Sequence, residues 1–250
     1  NSKNKKKFDV RKLAIIGMLG AISAVLGMTP LGFIPIGPTR ATTMHIPVII
    51  AAIMEGPVVG GLVGLIFGMF SMYQAVANPT PVSFVFLNPL VSIIPRVLIG
   101  IFSYYVYKFL NRIGNKKAKW LLYLIWIGII GYLFYGVYNG IVNSGSVWTI
   151  LFNIVLIFSS VTIAYFTLYK PKNTSYDLII PTIVGTLTNT FGVLASVYVL
   201  YGERFVEALG GSISSTGKII FGIGITNGIP ETIIAIIIVT SVVGALKRSK

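Results

Sequence analysis

The chain is 250 residues long, with 55% hydrophobic residues, only 10% charged ones and a mean hydropathy of +0.86. Soluble domains carry about 25% charged residues, so water is not its main solvent. The absence of cysteine excludes disulfides, thiolate metal sites and cysteine nucleophiles, and the single histidine, His45, excludes an imidazole metal cluster, so no cofactor is expected. The net charge of +14 sits in short basic clusters beside apolar stretches, where it suits anionic lipid headgroups rather than nucleic acid.

In chain order, residues 1–12 form a basic N-terminus containing Lys3, Lys5, Lys6, Lys7, Arg11 and Lys12. Leu13 to Met28 predicts span one, being too long for the apolar core of a signal peptide. Residues 29–43 carry Pro30, Pro35 and Pro38 with Gly32 and Gly37, cannot be a regular helix, and read as an outside loop. Span two, Met44 to Met54, ends at Glu55-Gly56-Pro57 in a tight inner turn. At ~1.5 Å per residue it reaches only about half of the hydrocarbon core. Span three, Val58 to Val76, carries Gly60, Gly64 and Gly68 at every fourth position, a flat ridge that lets another backbone approach closely. Span four runs from Phe86 to Phe109. Residues 120–169 would be about 75 Å long as one helix, so they fold back, near Asn139-Gly140 and Asn143 to Ser146, as an inserted pair, spans five and six. Span seven covers Asp177 to Tyr201 and span eight Ile219 to Leu246, with Gly202 to Lys218 as an outer loop holding Glu203, Arg204 and Glu207.

Basic residues recur between Lys108 and Lys119, at Lys170 and Lys172, and in the 247–250 tail. With these clusters and the N-terminus all cytoplasmic, sixteen of the 20 basic residues lie inside. The segments between clusters then cross four, two and two times. The expectation is an all-α integral membrane protein, one membrane domain of about eight spans over residues 1–250, with N and C termini cytoplasmic.

Ionisable groups at membrane depth cost several kcal/mol and so are candidate site residues. Two occur, Arg96 and Glu231. By residue count Asn189, Asn227 and Glu231 reach a similar depth to Arg96, and Asn227 and Glu231, four apart, share a helix face, as do Thr182, Thr186 and Asn189 on span seven. Either these polar stripes frame a pocket, or Arg96 pairs with Glu231 and the amides and hydroxyls bond across helices. Nearer the outer surface Arg40 and His45 meet Gln74, Asn78 and Asn88, a plausible mouth. The competing reading makes His45 an interfacial residue and Asn78-Pro79 and Asn88-Pro89 helix punctuation. Tyr123, Trp126, Tyr132, Tyr135, Tyr138, Trp148 and Tyr165 read as a lipid-facing aromatic belt. The chain has no GxxxxGK[ST], HExxH or GxSxG motif and one carboxylate at depth, which argues against an enzyme.

The ordered set His45 to Ile50, the Gly-rich third span through Gly68, Asn88-Pro89-Leu90-Val91-Ser92 followed by Pro95-Arg96, Gly185 to Thr190 and Asn227-Gly228-Ile229-Pro230-Glu231 resembles the substrate-binding S components of energy-coupling factor (ECF) vitamin transporters. The resemblance covers about four-fifths of the chain. It implies a six-helix core, here with the inserted pair, that binds a vitamin at the outer face of a bacterial cell membrane. The partners it implies are a transmembrane T component and two ATP-binding-cassette ATPases, with small residues on span one, Gly17 with Ala21 or Gly20 with Ala24, sliding against the T component. Arg96, and Arg40 behind it, suits an anion, since a guanidinium pairs bidentately with carboxylate. Pantothenate is therefore the first expectation, ahead of folate, riboflavin or another vitamin. The alternative function is an ion-coupled secondary transporter with Glu231 as its coupling group, against which no paired broken helices stand in matching halves.

Overall fold

Lipid offers a backbone no hydrogen-bond partner, so an apolar chain must satisfy its own amides, and this one does so almost wholly by helices. The computed structural model describes residues 9–36, 39–113, 115–142, 147–169 and 176–248. Among them lie α1 (Val10–Met28), α2 (Ile46–Glu55), α3 (Pro57–Ala77), α4 (Pro89–Ser92), α5 (Ile94–Ile113), α6 (Asn115–Val142), α7 (Val147–Tyr169), α8 (Tyr176–Ala208) and α9 (Thr216–Arg248). One antiparallel hairpin, β1 (Phe33–Ile36) with β2 (Thr39–Thr42), occupies the Pro- and Gly-rich stretch after α1, with Phe33 opposite Thr42 and Pro35 opposite Arg40.

Among the described residues, six helical segments are long and apolar enough to cross a membrane: Val10–Met28, Pro57–Ala77, Pro89–Arg112, Tyr123–Val142, Asp177–Ala208 and Ile213–Arg248. The helix α2 is not among them. Its 10 residues rise only ~15 Å, and eight of them are buried. It forms the centre of the bundle, packed by α1, α3, α5, α8 and α9. A half-length helix is stable there because neighbouring helices, not lipid, surround it, and β2 leads straight into its first turn. The turn at its far end is one residue, Gly56, whose φ of 102° is open to glycine and costly for other residues. Arg11 of α1 closes over this corner through a 3.1 Å ion pair to Glu55.

The glycine ridge works as the sequence predicts. A Cβ on Gly68 would meet the Ser92 carbonyl oxygen at 2.6 Å, one on Gly64 would overlap the Arg96 carbonyl, and one on Gly100 would overlap the backbone of Gly60. The pairs 60 with 100, 64 with 96 and 68 with 92 run in opposite directions, so α3 and α5 are antiparallel and in backbone contact. Near the chain end, Lys247 Nζ lies 3.3 Å from Asp177 Oδ2 and donates to Tyr107 at 2.8 Å, fastening α9 to the start of α8 and to α5. This end, with Arg11 and Arg112, is the basic end of the bundle; the opposite one carries the hairpin.

Three expectations need correction. Span four is interrupted: a 3-10 turn (Ser83–Leu87), α4 and a break at Ile93 precede α5, because Pro89 and Pro95 cannot donate backbone hydrogen bonds. Glu203, Arg204 and Glu207 are not in a loop, since α8 continues to Ala208 and the connection to α9 shrinks to residues 209–215. At ~50 Å, α8 outruns the ~30 Å core, so its charged last turns stand clear of lipid. A Schellman cap stops it, with Gly210 (φ 76°) donating to Glu207 O and Gly211 to Val206 O, each at 2.9 Å. Trp126, expected in the lipid belt, is buried with Leu110, Ala164, Ile179 and Ile236 where α6 and α7 meet the main bundle, while Tyr132, Tyr135, Tyr138 and Tyr165 are exposed as expected. The side chain of Trp148, the turn at 143–146, Lys3, Lys5, Lys6, Lys7, Lys170, Lys172 and Lys250 lie outside the described residues.

Candidate functional site

Arg96 owes its position to the proline before it. Pro95 has no N–H for the carbonyl four residues back, Val91 O, and Arg96 Nη1 donates to that oxygen at 2.5 Å instead. The guanidinium lies 5.3 Å from the Phe67 ring centroid and 5.7 Å from that of Phe86, with 5% of the residue exposed. Its buried Nε has no acceptor, and among the described residues the ion pairs are Arg11–Glu55 and Lys247–Asp177, neither of which involves Arg96. A buried cation held by one carbonyl and two aromatic faces is left with donors for an incoming anion.

Glu231 is engaged elsewhere. Its Oε1 accepts from the Thr42 backbone N–H at 2.6 Å and its Oε2 from Thr190 Oγ1 at 2.7 Å, so the carboxylate binds the last residue of the hairpin to α8 and α9. Arg96 and Glu231 make no ion-pair contact, although each charge acts on the other through space. Thr190 was not singled out as a site residue; the signal was its place one turn beyond Thr186 on the same face.

Small residues bring α8 to this layer. A Cβ on Gly185 would overlap Ser103 Oγ, and one on Gly192 would meet Pro95 Cβ at 3.1 Å. Asn189 lies between those glycines on the same α8 face, opposite the stretch of α5 that holds Arg96 and Ile99, and its buried Oδ1 has no partner. On the neighbouring face the Thr186 hydroxyl meets His45 Nε2 at 3.1 Å. His45, at the start of α2, is fully buried rather than interfacial, and its Nδ1 is without a partner. Arg96, His45 and Asn189 therefore each present an unsatisfied buried polar atom, on α5, α2 and α8.

The remaining expected site residues divide. Asn88 caps α4, accepting from Leu90 N at 2.9 Å, and donates to Tyr201 OH at 3.0 Å. Gln74 donates to the Gly27 carbonyl at 2.5 Å, and Asn78, exposed at the end of α3, donates to Gln74 at 2.6 Å. Gln74 fastens α3 to α1, Asn78 supports it from the end of α3, and neither bonds to the buried layer. Asn227 is half-buried on α9, one turn before Glu231. Arg40 has its backbone on β2; its side chain lies outside the described residues. A cavity of about 770 Å³ opens not at this layer but between the hairpin-end halves of α8 and α9, lined by Tyr198, Tyr201, Glu203, Arg204, Ser214 and Thr216. No group of three His, Cys, Asp or Glu that could hold a metal occurs among the described residues.

Residues 11–152 match the family model described as ECF transporter, substrate-specific component. The chain belongs to that family. This substrate-specific component is also 26% identical, over 98% of both chains, to a protein named pantothenic acid transporter PanT from Lactococcus lactis subsp. cremoris. It is 34% identical to a protein named pantothenate transporter PanT from Leuconostoc mesenteroides subsp. mesenteroides, over 48% of this chain and 55% of that one. As a transporter component it is a multi-pass bacterial cell-membrane protein and not an enzyme. On α1, the two expected small-residue pairs face different ways. Gly17 has open space where a Cβ would stand and Ala21 is exposed, whereas a Cβ on buried Gly20 would meet Ile66 of α3 at 2.6 Å, and Ala24 is half-buried.

Proposed function

We propose that this S component captures pantothenate at the outer face of the membrane, with Arg96 receiving its carboxylate, for uptake driven by a T component and two ATPases. The observation that carries this is the buried Arg96 guanidinium, which makes no ion-pair contact to a carboxylate among the described residues and leaves its Nε without an acceptor. A monoanion would complete that charge in a low-dielectric pocket, where the pairing is strongest. His45 Nδ1 and Asn189 Oδ1 offer hydrogen bonds to the hydroxyl and amide groups that pantothenate also carries. The names of both relatives support the choice of solute. Glu231 acts as the anchor of the hairpin in this reading. Each of its oxygens accepts a hydrogen bond from a protein donor.

The basic end of the bundle is assigned to the cytoplasm and the hairpin end to the outside, on the positive-inside bias. α6 and α7 then cross as an additional pair, giving eight passages counting α2. Gly17 and Ala21 form the small-residue face offered to the T component. The test is mass spectrometry of small molecules released from the purified chain, followed by titration with pantothenate. Stoichiometric pantothenate with tight binding is expected; an empty protein that does not bind it would overturn the reading.

A further inference from the structure

The cavity between the hairpin-end halves of α8 and α9 sits at the edge of the hydrocarbon. Lys247 and Asp177 tie the two helices together at the basic end, and Tyr198 stands 21 residues along α8 from Asp177, a rise of ~32 Å that matches the ~30 Å core. Glu203 and Arg204 lie ~8 Å further out, at the level of lipid headgroups. Tyrosines collect at that boundary, and Tyr198 and Tyr201 both line the cavity. Val199, Leu200 and Ile213 are exposed on the same lining, so the cavity opens toward the bilayer. Apolar surface continues down this seam toward the membrane centre. A Cβ on Gly217 would stand 4.0 Å from the Tyr198 ring and one on Gly224 3.5 Å from that of Phe191, seven residues along on each helix, and Phe191 and Phe221 beside these contacts are exposed.

The polar part of the cavity carries two opposite charges that do not satisfy each other. Glu203 and Arg204 both line the wall, yet the ion pairs among the described residues are Arg11–Glu55 and Lys247–Asp177. Adjacent helix positions point apart, which keeps the carboxylate and the guanidinium separate. Phe84 takes one face of the Arg204 guanidinium at 4.3 Å and leaves its in-plane N–H groups as donors. We propose that this cavity seats a phospholipid whose headgroup carries both a phosphate and a primary ammonium, with the phosphate on Arg204, the ammonium on Glu203 and an acyl chain along Phe191 and Phe221. A headgroup that is only anionic would set its charge against Glu203. A quaternary ammonium has no N–H to give the carboxylate. A soluble zwitterion would leave the exposed rings uncovered. The site is separate from the Arg96 layer and does not rest on the pantothenate reading.

Native mass spectrometry of the full-length chain tests this, with equimolar phosphatidylethanolamine, phosphatidylcholine and phosphatidylglycerol added in detergent. Wild type should keep one phosphatidylethanolamine at collision energies that strip the other two. Glu203→Gln should lower that occupancy by about fivefold, the upper end for one exposed charge pair, and bring it level with phosphatidylglycerol. Arg204→Gln should lower occupancy by all three lipids, and Arg204→Lys, which keeps the charge, should restore most of it. Equal retention of the three lipids by wild type, or phosphatidylethanolamine occupancy unaltered in both Gln variants, would reduce the cavity to ordinary boundary lipid and overturn the site. Phosphatidylglycerol held as firmly as phosphatidylethanolamine by wild type, with loss in Arg204→Gln alone, would overturn the pairing with Glu203. Displacement of the lipid by an equal concentration of glycerophosphoethanolamine, the same headgroup without chains, would assign the cavity to a soluble zwitterion and overturn it as a lipid site.

Discussion

Arg96 and Glu231 are the two deep charges, and the protein uses them differently: the carboxylate holds a hairpin, and the guanidinium is left with a carbonyl and two rings. Truncating a buried cation that meets a ligand anion costs about 2–5 kcal/mol of binding. Arg96→Ala should therefore weaken pantothenate binding by that amount in calorimetric titration, with the folded yield retained. Arg96→Lys should recover little, since an ammonium lacks the planar fork that serves Val91 O and a carboxylate at once. An unchanged Kd for a folded Arg96→Ala would move the residue to a structural role. Glu231 gives the opposite pattern. Glu231→Gln retains oxygen acceptor capacity for the Thr42 N–H, whereas Glu231→Ala strands a buried donor at a cost of about 1–3 kcal/mol. Thermal unfolding with and without ligand should show Gln close to wild type and Ala clearly destabilised. Binding lost equally in both would instead give Glu231 a direct role in the pocket.

Two glycine seams set the geometry of the site, α3 on α5 through Gly60, Gly64, Gly68 and Gly100, and α8 on α5 through Gly185 and Gly192. Gly100→Ala places a methyl into the Gly60 backbone and should cost about 1–3 kcal/mol or more, as overpacking does. The variant should lower the unfolding temperature and weaken solute binding together, because Arg96 rides on the displaced helix; Gly128→Ala, into open space, should change neither. The first seam was legible in the sequence because its glycines recur every four residues on one helix. The second was not, since seven residues separate Gly185 from Gly192 and its partners, Ser103 and Pro95, lie on another helix. The sequence shows α2 only as a span that reaches half of the hydrocarbon core, because hydropathy registers length and not enclosure. The break before Arg96 was hidden in an apolar run; its signal was Pro95, and what Pro95 does for Arg96 depends on a side chain reaching back to Val91. The pairing of Thr42 with Glu231 joins residues 189 positions apart, which no local pattern contains.

At the scale of the whole molecule, α1 is the helix with two distinct faces. Ile16, Leu19, Gly20, Ser23 and Gly27 turn into the bundle, while Gly17, Met18, Ala21 and Val25 are exposed. Exposed small residues in a membrane helix suit close contact with another helix, because lipid tails fill such a groove no better than a packed backbone would. The buried polar layer proposed to receive the solute is built from α2, α5, α8 and α9, and none of its hydrogen bonds involves the outer face of α1. A Gly17→Leu/Ala21→Leu double variant should thus bind pantothenate as wild type does when purified alone. Coexpressed with a T component and ATPases, it should fail to co-purify with them and should not support uptake into vesicles. Gly20→Leu is the contrasting variant, driving a side chain into Ile66, and should lower the unfolding temperature before any partner is present. Assembly by the double variant at wild-type yield would remove this face from the interface. Loss of binding in the isolated double variant would show instead that α1 and the solute layer are one packed unit, with capture and docking no longer separable by surface.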